Sequence, residues 1–415
     1  MKKISVTAIA AMLAVSAFAQ DTAPQQHLKF YGFVRTYFAF DTRESSAGTE
    51  DLYFYMPKDV KKNDAGEDVN GIPSFRYAAL TSRLGLDILG YEVADYKIGG
   101  KIEADFYAGV TGVTGTAQFR LRQAFVTVAK NGRNWKVGQA WHPMAADLPD
   151  IFSLESGAPF GPFSRTPQVA FNCGITEGLS FNAAALWQMQ YTSTGPDGAK
   201  ADYIRYGLVP ELFAGFTYKW KDASVLKFGA DVLSIKPRQF TAAGNRTKER
   251  ITTANLFVYG QTRVGNVDLK TKVTFANDGS HFNMVGGYGV SNVNADGTWD
   301  YRATRNLSCW ATAAYKKKDC RWVPSIFLGY VRNFGTGADM VDGTKMFWCK
   351  NSASDLCRMW RVQPEILYNL GKLAFGLEYM MTGVEYGKAG KLGFAESNLH
   401  VVANHRIQAL VKYTF

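Results

Sequence analysis

Long apolar runs are missing from this chain. After the N-terminal segment no stretch approaches eighteen apolar residues, so no helical membrane span is expected. Cysteine is scarce and odd in number: Cys173, Cys309, Cys320, Cys349 and Cys357, with no CxxC or zinc spacing. Only Cys349 and Cys357 share a surface loop, which makes them the candidate disulfide of an oxidising compartment. Histidine is also sparse. The five are scattered and form no metal pair, so neither a metal nor a cofactor is expected. No glycine-rich phosphate cradle and no Ser/His pair is found, which argues against an enzyme. The cations are spread along the chain rather than gathered in a basic arm, which argues against nucleic acid as a partner.

What is present is alternation. In the last sixteen residues, HVVANHRIQALVKYTF, one face carries Val401, Ala403, His405, Ile407, Ala409, Val411, Tyr413 and Phe415. The other carries His400, Val402, Asn404, Arg406, Gln408, Leu410, Lys412 and Thr414. Ordinary soluble strands run about five or six residues, whereas a tilted membrane-crossing strand needs about nine to eleven and alternates apolar-out with polar-in. Residues 1–19 read as a secretory signal: Lys2 and Lys3, an apolar stretch from Ile4 to Val15, then Ala17-Phe18-Ala19 before the cut. Residues 20–26 form a short lead, and 27–415 the barrel. The 40 Gly, 28 Phe, 21 Tyr and 9 Trp, with mean hydropathy of only −0.16, suit a barrel whose lipid face is every second residue and whose rims carry aromatic girdles. Formal charge is +11, or +9 once Lys2 and Lys3 are removed (11 − 2). A basic exported protein suits anionic solutes or anionic lipid.

The alternating segments are separated by short turns and long loops in strict succession. Long stretches fall at 41–72, 110–116, 143–167, 192–209, 236–250, 277–303, 335–355 and 387–399; short turns lie between them, as at Asn131-Gly132. Eight outer loops and seven turns connect sixteen strands. The expected fold is therefore all-β: a transmembrane antiparallel β-barrel of about sixteen strands in the outer membrane, because no open sheet edge survives in lipid. Residues 142–168 break the rhythm and hold five of the thirteen prolines, where ladder bonds cannot form. This third outer loop also carries apolar residues to pack with, and is expected to fold into the pore as a constriction through Asp147, Asp150, Glu155, Phe160 and Arg165. Its acids are expected to face a basic wall.

Parity assigns inward roles to Arg35, Arg83, Lys101, Arg120, Arg122 and Arg406, with Glu103, Asp105 and Glu365 beside them. From strand rise and tilt, the arginines are expected at a common height near mid-pore, where their guanidiniums favour anions. Gln123, Gln139 and His405 share the outward parity yet are polar. They are expected at the headgroup rim, at a position where the parity is misread, or at a subunit interface. His142, His281 and His400 are expected as polar rim residues.

The segments SRLGLDILG, GGKIEADFYAG, FRLRQAFV, WKVGQAWHP and FGPFSRTPQV, with the aromatic terminal strand, resemble the DcaP-like trimeric porins and, more distantly, the phosphate-selective porins. The likeness is most specific over 73–176. It implies a sixteen-stranded trimer whose third loop narrows each pore, and passive diffusion of small hydrophilic solutes, often anionic, with dicarboxylates the class the family suggests. Some members carry an N-terminal helical stalk. With only Gln20 to Gln26 before the first strand, none is expected here. The alternatives are a barrel enzyme acting on lipid, a long-chain lipid transporter and an adhesive barrel.

Overall fold

Alternation along each segment sets which side chains meet lipid, and hydrogen-bonded register then closes the sheet. The computed structural model describes residues 27–48, 52–107, 116–221, 223–349 and 355–415. The expected signal at 1–19, the lead at 20–26 and most of the second outer loop lie outside them.

The strands are β1 (His27–Asp41), β2 (Ser74–Ala78, resumed at Arg83–Val93), β3 (Tyr96–Tyr107), β4 (Gln118–Lys130), β5 (Arg133–Trp141), β6 (Arg165–Gly174), β7 (Leu179–Leu186) and β8 (Glu211–Trp220). They continue with β9 (Ser224–Ile235), β10 (Ile251–Val264), β11 (Val267–Asn277), β12 (Arg305–Tyr315), β13 (Trp322–Asn333), β14 (Leu356–Leu370), β15 (Leu373–Ala389) and β16 (Ala395–Thr414). Both pieces of β2 run along β1, Tyr37↔Ala78 and Phe33↔Arg83, so they are one strand with a kink. Every strand pairs antiparallel with its sequence neighbours, and β1 pairs with β16 from Phe33↔Thr414 to Asp41↔Arg406. The result is a closed sixteen-stranded antiparallel barrel.

Closure is tight at Gly32. Its N–H donates to the Phe415 carbonyl and its own carbonyl accepts from the Phe415 N–H, at 3.3 and 3.1 Å. A Cβ there would lie 2.4 Å from the Arg83 carbonyl oxygen, so only glycine allows this approach.

Outward positions are apolar and exposed: Phe30, Val34, Phe38 on β1, Leu256 and Val258 on β10, Val401 and Ile407 on β16. At the end with the short turns, Tyr91, Tyr96, Trp135, Tyr218, Trp220, Trp322, Tyr413 and Phe415 are exposed together. Amphipathic rings at one level mark the membrane–water interface. At the other end the long connections are numbered in chain order, L1 between β1 and β2, L3 between β5 and β6, L6 between β11 and β12, L7 between β13 and β14 and L8 between β15 and β16. Segments Gly287–Val293, Trp299–Ala303 and Met346–Trp348 from L6 and L7 pair into a small sheet above the wall. L8 is shorter than expected: β15 and β16 continue to Ala389 and from Ala395, leaving 390–394 instead of 387–399.

Candidate pore constriction

L3 (142–164) lies inside the barrel, held by wall cations. Lys227 reaches Asp147 at 2.6 Å, and Lys270 and Lys316 reach Asp150 at 2.9 and 3.0 Å. Buried Lys272 donates to the carbonyls of Met144 and Asp147, at 2.8 and 2.7 Å. Glu155 is sealed against Arg361 at 3.0 Å with neither side chain exposed. Phe160 is buried against Phe327, and its ring occupies the place of the missing side chain of Gly329, where a Cβ would come within 2.5 Å. The loop's acids therefore meet a basic wall and its apolar residues a seat on β13. Arg165 is not in the loop but opens β6, buried between Trp141 and Phe163.

A second segment was not expected inside. Leu52–Met56 of L1 is buried. Arg361 donates to the Tyr55 carbonyl and Tyr386 to that of Pro57, at 2.9 and 2.6 Å. The stretch LYFYM was legible as five apolar residues in a row within an otherwise polar loop.

Between L3 and the wall of β1–β4 and β12–β16 lies a cavity of about 440 Å³. Its charged lining is Arg35, Arg83, Arg122, Lys316 and Lys412 against Glu103, Asp150 and Glu365. Arg122 binds Glu103 and Asp105 at 2.8 and 2.9 Å, and Arg120 holds Asp105 through both of its oxygens at 2.9 and 3.0 Å. Arg83 is more distant, 3.8 Å from Glu103 and 3.9 Å from Asp105. Lys101 is paired with Asp87 at 2.6 Å and donates to Tyr31. Two cations stand apart. Arg35 donates to Thr81 Oγ1 at 2.8 Å and lies over Phe33 and Tyr37; Lys412 lies over Phe33. Neither has an ion pair among the described residues.

Several expectations are corrected by register. Arg406 pairs with Asp41, whereas Arg35 pairs with Lys412, six residues lower on β16. Arg406 is fully buried, bound to Asp41 at 2.9 Å and to the Leu52 carbonyl at 3.2 Å, so it anchors L1 instead of joining the band.

Gln123 points inward. The register shifts by one between Glu103↔Gln123 and Ala104↔Leu121, which leaves Arg122 as a bulge and puts two consecutive side chains into the pore. Gln123 donates to Glu103 at 3.3 Å and lines the cavity. It is not on the outer wall. Gln139 keeps its outward parity but is buried. Its amide donates to the carbonyls of Leu121 and Arg122, at 3.2 and 3.1 Å, which are the peptide groups the bulge leaves out of the ladder. Its polarity thus has a reason within its own chain. Gln139→Leu should destabilise the barrel by about 1–3 kcal/mol, the cost of unpaired buried polar groups, read as an earlier heat-induced shift in electrophoretic mobility. An unchanged midpoint would remove the capping role. Of the three proposed interface residues only His405 faces outward and exposed, its Nδ1 2.7 Å from the Tyr379 hydroxyl.

The candidate disulfide is not formed. Cys349 Sγ meets the Met284 carbonyl, and Cys357 is buried at the start of β14. His142 and His281 are buried rather than at the rim. His400 is exposed, 2.7 Å from Asp59.

A closed barrel with a lipid-facing apolar wall, a loop folded inside and a charged internal cavity is porin architecture. Residues 16–159 match the DcaP outer membrane protein family. The chain resembles the DcaP outer membrane proteins over that segment, and its fold is that of an outer-membrane porin. The outer membrane channel DcaP of Acinetobacter baumannii is similar over 94% of this chain and 97% of its own, at 21% identity and a TM-score of 0.68. The anion-selective porin from Comamonas acidovorans aligns over 94% of this chain and all of its own (100%), at 11% identity and a TM-score of 0.57. OmpT of Vibrio cholerae, in its trimer form, aligns over 94% and 99%, at 15% identity and a TM-score of 0.51. At these identities the likeness is one of fold. No curated protein matches the sequence. The bulge that brings Arg122 and Gln123 together sits inside the segment that matches the DcaP model.

Proposed function

We propose that this DcaP-like porin assembles as a homotrimer and passes small hydrophilic anions by passive diffusion, with dicarboxylates the preferred class. The observation that carries the reading is the charge of the cavity beside L3: five cations line it against three carboxylates, and Arg35 and Lys412 have no acid partner among the described residues. Each guanidinium is a planar fork that matches a carboxylate, and a low-dielectric wall focuses the field of these groups on a passing solute. Stacking on Phe33 holds the Arg35 head in place without neutralising it. The anion selectivity of the Comamonas acidovorans porin and the trimer of Vibrio cholerae OmpT, each as named for those proteins, point the same way.

The test is reconstitution in a planar bilayer under a salt gradient. The reversal potential of the wild-type channel should lie on the anion side, and the protein should run as a trimer on native electrophoresis. Cation selectivity overturns the charge argument, and a stable monomer overturns the assembly. The rival readings have their own signatures: lipid hydrolysis by the purified protein, or no channel current at all. Signal cleavage after Ala19 belongs to the same reading and is checked by N-terminal sequencing of protein from outer membranes.

A further inference from the structure

Conduction leaves a buried polar cluster unused. Glu211 opens β8, Asp231 lies on β9, His142 begins L3, and His281 sits on the short turn Ser280–Phe282 of L6. None is more than 2% exposed. These residues come from four parts of the chain, and no sequence spacing joins them.

The two histidines differ. The Met144 N–H donates to Nδ1 of His142 at 3.1 Å, so the proton of the neutral ring is on Nε2, which lies 2.8 Å from Glu211 Oε1. His142 is therefore satisfied and holds the Glu211 carboxylate in place. His281 is not satisfied. Its Nε2 lies 3.4 Å from Glu211 Oε1 and 3.5 Å from Asp231 Oδ2, yet neither ring nitrogen makes a hydrogen bond. Asp231 Oδ1 is also unpartnered, while Asn255 donates to Oδ2 at 2.8 Å. Leaving an imidazole and a carboxylate oxygen without a hydrogen bond in the interior is costly, even beside opposite charges at 3.4–3.5 Å.

The spacing offers a reason. A charge-assisted hydrogen bond runs about 2.7–2.9 Å. Two donor atoms that share a tetrahedral ion at about 2.0–2.1 Å stand roughly 3.3–3.4 Å apart, one edge of the tetrahedron. The His281 distances match that edge and exceed a hydrogen bond. We propose that His281 Nε2, Glu211 and Asp231 form a binding site for a divalent transition metal of the zinc type, with His142 as the positioning residue behind Glu211. Two carboxylates balance the charge of the dication, and an imidazole in the donor set favours zinc over calcium or magnesium. His142 plays the outer-shell part that orients a ligating carboxylate. The ion ties L6 to β8 and β9 next to the root of L3, so it stiffens the loop that narrows the pore.

Because the cluster is buried, loading is done during refolding into detergent, with and without Zn²⁺, followed by desalting and elemental analysis. The wild-type chain should retain one zinc and refold with Co²⁺ to give the intense visible absorption of a tetrahedral site. His281→Ala should lose both. His142→Gln should keep the metal with about 10- to 100-fold weaker affinity, the usual cost of losing an outer-shell partner. Barrel formation of each variant is checked by heat-dependent mobility. Should His281→Ala fail to fold, Asp231→Asn, of equal shape and without the charge, replaces it. No retained zinc in the refolded wild type, or equal zinc in wild type and the variant, overturns the site.

Discussion

Excising Asp147 to Gly157 from L3 is expected to raise single-channel conductance about twofold or more, since current follows the open width of the narrowest section. The segment removed carries Asp147, Asp150 and Glu155, the three acids that bind Lys227, Lys270, Lys316 and Arg361. It also carries Phe152, whose N–H donates to Glu365 at 3.0 Å and whose carbonyl accepts from Tyr37 at 3.0 Å. The loop is thus fastened on opposite sides of the lumen, and its loss opens the section between them. The freed cations are solvated once water fills the space. This keeps the variant from the several kcal/mol that an uncompensated buried charge would cost. Conductance equal to wild type would place the conduction path elsewhere than beside L3. The same variant should be more anion-selective, because three carboxylates leave and their cations stay.

Replacing both Arg35 and Lys412 with Ala should move the reversal potential toward cations more than replacing Arg120 and Arg122. Arg120 and Arg122 are bound to Glu103 and Asp105, and their removal unmasks those acids only in part, since Arg83 remains within 3.9 Å. Arg35 and Lys412 pair with each other in register across the barrel seam and line the cavity without an ion-pair partner among the described residues. In a tenfold salt gradient the shift should be on the order of a third of the ~59 mV that separates no selectivity from ideal selectivity. A shift smaller than that of the Arg120/Arg122 variant would mean that paired and unpaired cations contribute alike, and that the field of the whole wall sets selectivity.

Much of this architecture was written locally. Period-two alternation with apolar Leu28, Phe30, Val34 and Phe38 on one side of β1 fixes which face meets lipid, because successive side chains of a strand must point oppositely. Turn chemistry did the same for the tight connections: Asn131 and Gly132 both adopt positive φ, as a two-residue hairpin requires. The prolines, acids and aromatics of 142–168 marked a loop that cannot join the ladder but has surfaces to pack, and it folds inward.

The barrel, its strand order and the inward fold of L3 all follow from patterns within ten or twenty residues. Tertiary structure alone decided the details of the pore. The bulge at Arg122 exists only relative to Glu103 on β3; it reverses parity below it, which turns Gln123 inward and leaves Gln139 to cap the exposed carbonyls. The seam register sets Arg406 opposite Asp41, 365 residues away, and so removes it from the arginine band. His142, Glu211, Asp231 and His281 meet only because L6 dips beside the root of L3. In each case the deciding contact joins residues with no shared local pattern, and a shift of one residue in pairing exchanges the two faces of a strand.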